Sequence, residues 1–135
     1  MSKLMNQSGR YLLDTNIVVA LFSEEIGVEE KIRNAGGIAL APPIIGELCF
    51  GAQKSNKVAE NLRRIDRLVA QNTFLPCDLE TAQWYGIIKE RLRRKGRSIP
   101  NNDIWIAAVA MQHDLILVTR DAHFDEVESL QIERW

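Results

Sequence analysis

Four acidic residues, Asp14, Glu47, Asp103 and Asp121, stand at the ends of expected secondary-structure elements, where an α/β chain gathers its ligands. Asp14 follows the apolar triplet 11–13 and Asp121 follows the apolar run 115–118, so both leave the carboxyl ends of strands. Glu47 and Asp103 fall in the opening turns of two expected helices. In a parallel α/β sheet those helix starts and strand ends share one rim, the place where ligands bind. One such carboxylate alone reads as a helix cap. Four on one rim are a different matter, because two unit charges about 4 Å apart repel by roughly 4 kcal/mol at an effective dielectric near 20. Several such pairs would consume much of a domain's stability of about 5–15 kcal/mol. The group needs protons or a divalent cation. Oxygen ligands select a hard ion, so Mg2+ is expected, with Mn2+ as the substitute, and no His/Cys grouping offers a zinc site. Such an ion activates a water and stabilises charge on a phosphate oxygen, which points to phosphodiester hydrolysis.

The elements that must position these residues alternate along the chain. Strands are expected at 11–13, 38–41, 74–76, 115–118 and within 130–135. Helices are expected at 17–22 (capped by Thr15 or Asn16), about 28–35 (closed by Gly36–Gly37), 44–54 (entered through Pro42 and Pro43), 56–71, and 79–95 (capped by Asp78). A last helix is entered through Asn101 and Asn102. Residues 121–127 read as a loop with a helical turn. Alternation of this kind implies a three-layer α/β/α domain with a parallel sheet of about five strands. Right-handed crossovers with one reversal near the first strand give the order 3-2-1-4-5. Residues 1–10 are expected to be a flexible leader, and 11–135 a single domain.

Composition sets outer limits. The chain has 135 residues, 46% of them apolar, which suits one globular domain with a sizeable core. A net charge of −1 excludes a strongly basic nucleic-acid coat, so any polyanion must be bound locally. Cys49 and Cys77 form no CxxC pair, and no apolar run approaches the roughly 20 residues of a membrane span. A cytoplasmic setting without membrane association is expected.

The motifs LLDTN (12–16), Glu47 within PPIIGELCFGAQKS, IPNNDIWIAA (99–108) and LVTRDAHF (117–124) resemble those of the PIN-domain nucleases. More narrowly, they resemble the VapC-type ribonuclease toxins of prokaryotic toxin–antitoxin pairs, in order and spacing from about Tyr11 to Trp135. The resemblance implies that Asp14, Glu47, Asp103 and Asp121 are metal ligands in an endoribonuclease with an RNA substrate. It also implies neutralisation by a small VapB-like antitoxin protein, and a homodimer. Asn16 and Thr119 match polar positions that support the carboxylates or water. None of the four acidic positions is substituted.

Further residues carry two readings each. Arg120 could hold a scissile phosphate in a bidentate contact or lie on the surface. The run Lys89, Arg91, Arg93, Arg94, Lys95 and Arg97 could follow an RNA backbone or an acidic antitoxin segment, or merely complement a helix C-terminus, as His113 would. His123, two residues past Asp121, is near enough for acid/base work, although a metal-activated water does not require it. Trp84, Tyr85 and Trp105 read as core or dimer contacts ahead of base-stacking platforms. Two other functions use similar carboxylates. An aspartyl-phosphate phosphohydrolase needs DxD after its first strand, where Asn16 stands instead, and a receiver-like phosphoacceptor needs an adjacent acidic pair and a late lysine. A binding-only RNA or protein module would use the carboxylates as caps alone.

Overall fold

The structure, a computed structural model, describes residues 10–135. The expected flexible leader therefore lies outside the described residues except for Arg10, whose carbonyl already accepts from the Ile116 amide at 3.0 Å. The elements in order are β1 (Tyr11–Leu13), α1 (Thr15–Phe22), α2 (Ile26–Ala35), β2 (Ala39–Leu40), α3 (Pro42–Lys54), α4 (Val58–Ala70) and β3 (Thr73–Phe74). They continue with α5 (Leu79–Arg94), α6 (Asn101–Gln112), β4 (Ile116–Val118), a 3-10 turn (Ala122–Glu126) and β5 (Ile132–Glu133).

The five strands form one sheet in the order β3-β2-β1-β4-β5, the expected 3-2-1-4-5, and every neighbouring pair is parallel. Leu12 pairs with Ala39 on one side and Leu117 on the other, so β1 is the central strand. The direction of travel reverses after β3, so right-handed crossovers send the helices before it and after it to opposite faces. Strands this short carry few hydrogen bonds. Their hold comes from burial: Leu12, Leu13, Ala39, Leu40, Leu117 and Val118 are fully buried.

Local sequence explains the element ends. Pro42 and Pro43 occupy the first helical positions of α3, where a missing N–H costs nothing, and the helix starts two residues earlier than the periodicity suggests. Glu47 consequently lies in the second turn. Gly36 closes α2 at φ +71°, and Asp78 opens α5 in a reciprocal cap with Thr81, both as expected. Two expected caps are corrected. Asp14, not Thr15 or Asn16, caps α1, and Pro100 precedes α6. Helix α6 is apolar nearly all round, and the structure buries it accordingly: Ile104, Ile106, Ala107, Ala108, Val109 and Ala110 are all in the core. Its alanines let α5 pack close alongside. Thr81 on α5 donates to the Gln112 side chain at the far end of α6, and Tyr85 stacks on Trp105 with centroids 4.5 Å apart.

Candidate active site

Asp14 leaves β1 and is 5% exposed. Its amide stays in the sheet, donating to the Val118 carbonyl at 2.9 Å, while its side chain turns to the rim. Oδ1 accepts from the Thr15 amide at 2.8 Å, and Oδ2 accepts from the Thr119 hydroxyl at 2.7 Å and the Asn16 amide nitrogen at 3.3 Å. Thr119, fully buried where β4 ends, also accepts from the Asp121 amide at 3.0 Å. One hydroxyl thus ties the exit of β1 to the exit of β4. Asn16 completes the brace, its Oδ1 accepting from the Arg120 amide at 3.2 Å.

Asp103 is the third residue of α6 and is 8% exposed. Asp121 caps the 3-10 turn and accepts from the His123 amide at 2.9 Å. The His123 ring then lies against both carboxylates, with Nδ1 3.2 Å from Asp103 Oδ2 and 3.2 Å from Asp121 Oδ1. Ligand atoms of Asp103, Asp121 and His123 all lie within 4.8 Å of one another. Glu47, exposed on α3, is reached through Thr15, whose hydroxyl donates to Glu47 Oε1 at 2.7 Å. A groove of about 590 Å³ adjoins it, bounded by Pro43, Glu47, Phe50, Asn102 and Trp105.

Electrostatics bind the four acids into one group. Burial pushes the Asp14 carboxyl above its usual range against the lowering effect of its Thr119 and Thr15 hydrogen bonds, and the charges of Glu47 and Asp121 push it further. Asp103 is raised first by burial, with the charges of Asp121 and Asp14 adding to it and the His123 hydrogen bond opposing. Among the described residues no lysine or arginine pairs with any of the four, and His123 is their only ion-pair partner. A mutually repelling set of hard oxygen donors, two of them buried and none paired with a lysine or arginine, fits a divalent cation in its donor chemistry.

The remaining expected residues are placed as follows. The Arg120 guanidinium turns away from the carboxylates, forking onto Glu25 at 2.8 and 3.2 Å and donating to the Trp135 carbonyl at 2.9 Å. The basic run is partly committed: Glu90 takes Arg93 and Arg94, and Glu126 takes Lys95 and Arg97. His123 was legible in position but not in orientation. The signal was its place two residues after a capping aspartate, where a tight turn folds the ring back onto the carboxylate.

Comparison with known proteins agrees with this geometry. The family model described as PIN domain matches residues 11–130. The Ribonuclease VapC2 of Haemophilus influenzae is 33% identical over 129 residues, covering 93% of this chain and 98% of that protein. The tRNA(fMet)-specific endonuclease VapC of Shigella flexneri is 32% identical with the same coverage. Among solved structures, a chain of the DNA-bound VapBC complex from Salmonella typhimurium superposes with a TM-score of 0.87 at 26% identity, covering 94% of this chain and 98% of that one.

Proposed function

The chain belongs to the PIN-domain family, and from that premise we propose that it is a metal-dependent endoribonuclease, the toxin of a toxin–antitoxin pair. The observation that carries the proposal is the convergence of Asp14, Asp103 and Asp121 from β1, α6 and β4 on one rim, with Glu47 beside them and no lysine or arginine paired with them. Asp14, Glu47, Asp103 and Asp121 would hold a divalent cation, Mg2+ or in its place Mn2+. The bound ion supplies an activated water and charge stabilisation at the scissile phosphate.

The protein's own part is positional. Thr119 and Asn16 fix the Asp14 carboxylate so that its orientation does not depend on the ion. Burial of Asp14 and Asp103 keeps competing water from their oxygens and strengthens their hold on positive charge. Arg120 acts through its main chain, donating to Asn16, while its guanidinium anchors Glu25 and the chain end. Both Asp14 oxygens are engaged by donors, an arrangement suited to an oriented ligand rather than a nucleophile that must attack phosphorus.

The similarity to VapC ribonucleases and to a VapBC complex supports RNA as substrate and a VapB-like antitoxin protein as partner, and the reading extends to a homodimer acting in the cytoplasm. No helix among the described residues is long and apolar enough to cross a membrane. The test is cleavage of single-stranded RNA and of bulk tRNA with Mg2+ or Mn2+. Internal cuts that vanish with EDTA and with Asp103→Asn are expected. Cleavage indifferent to both would overturn the reading, and stable phosphate incorporation on Asp14 would replace it with a phosphoacceptor.

A further inference from the structure

His123 is not explained by the four-carboxylate scheme. Its Nδ1 is equidistant, at 3.2 Å, from an oxygen of Asp103 and an oxygen of Asp121. That placement needs either a proton on Nδ1 or a cation among the three atoms. A single N–H cannot point at full strength along two directions, and the ring's hydrogen bond goes to Asp103 Oδ2, which leaves the equally near Asp121 Oδ1 outside it. Neighbouring ligands of an octahedral ion with bonds of about 2.1 Å lie about 3 Å apart, close to both separations seen here. The ring is also held from two sides. Its amide is fixed by Asp121 Oδ1, and the next residue, Phe124, is fully buried and pins the 3-10 turn to the core.

We propose that His123 is a nitrogen ligand in the metal centre, completing a triad with Asp103 and Asp121 and biasing the site towards Mn2+ over Mg2+. The inference rests on the divalent-ion reading above and sharpens it. Mg2+ prefers oxygen and keeps much of its water, whereas Mn2+ and later first-row ions accept imidazole nitrogen readily. An imidazole among carboxylates therefore discriminates between ions that carboxylates alone would hold with little distinction. In this chain the discriminating residue is the one two positions past the last acid.

The test uses the full chain loaded with Mn2+ alone and with Mg2+ alone, read by titration calorimetry and by electron spin-echo envelope modulation of the Mn2+ complex. The wild type is expected to show nitrogen coupling to Mn2+ and tighter binding of Mn2+ than of Mg2+. His123→Ala should lose the coupling and weaken Mn2+ about tenfold or more, while Mg2+ affinity changes less than about threefold. His123→Ala keeps the amide that holds the turn but removes the ring's contacts with Asp103 and Asp121, so in EDTA it should remain folded and melt slightly below the wild type. Absence of nitrogen coupling in the wild type, or an equal loss for both ions in the variant, overturns the proposal. Asp103→Asn and Asp121→Asn separate the levels. If they abolish Mn2+ binding and no nitrogen coupling was present, only the role of His123 falls. If they leave Mn2+ binding intact, the metal reading falls with it.

Discussion

Thr119 shows how much a neutral side chain can decide at the scale of single residues. Its hydroxyl donates to Asp14 out of solvent and accepts from the half-buried Asp121 amide. Thr119→Val keeps the shape, strands the Asp121 N–H and removes a hydrogen bond that lowers the Asp14 carboxyl, at a cost of about 1–3 kcal/mol. Metal affinity should fall about tenfold or more, measured by calorimetry. Asp103→Asn should cut RNA cleavage by more than about 100-fold, since losing a ligand exceeds the 10–100-fold of an outer partner. Its melt in EDTA should equal or exceed the wild type's, because one member of a repelling group is gone. The acids themselves were legible from their place at strand ends and helix starts. Thr119 and Asn16 were legible only through resemblance, and His123 not as a partner of two carboxylates, because spacing fixes a backbone position and leaves the rotamer open.

Elements set the reach of those residues. Helix α3 begins at Pro42, which moves Glu47 into the second turn and leaves it to Thr15 to bring the carboxylate towards Asp14. Periodicity placed every helix and strand, and the starts of α5 and α6, but not the first turns of α2, α3 and α4 or the cap of α1, where neighbouring polar residues compete for one amide as Asp14 does for that of Thr15. Arg120 illustrates the same limit. Its side alternates with register, and the register sends it to Glu25 and Trp135. Arg120→Ala should therefore leave cleavage within about threefold of wild type and lower stability by no more than about 1 kcal/mol, the worth of a half-exposed pair. A drop of kcat by 100-fold would return Arg120 to the scissile phosphate. Within α5, Gly86 has nothing near its Cα to meet a methyl group, so Gly86→Ala should stabilise by about 0.5–1 kcal/mol in a thermal melt.

For the whole molecule, architecture was the most legible level. Alternating apolar segments and the handedness of crossovers leave few strand orders, and the sheet adopts the most economical one. The stability of that architecture is coupled to the rim. Asp14 and Asp103 hold their protons more tightly folded than unfolded, so their stabilising contribution is complete below the ordinary value of 3.8 and fades as pH rises through the raised folded values. In EDTA, the melting temperature should fall as the pH is raised from about 3.8 to 7.5 by more than it does in Asp103→Asn, and added Mn2+ should restore it at pH 7.5.

The central strand is the first to be made, and its longest partner among the last. Leu12 must wait for Leu117 to leave the ribosome, and Asp14 must wait for Thr119. A nascent chain stopped before β4 has one edge of its central strand unpaired and lacks the Thr119 hydroxyl that Asp14 accepts from. Synthesis itself thus withholds nuclease competence until β4 has been made.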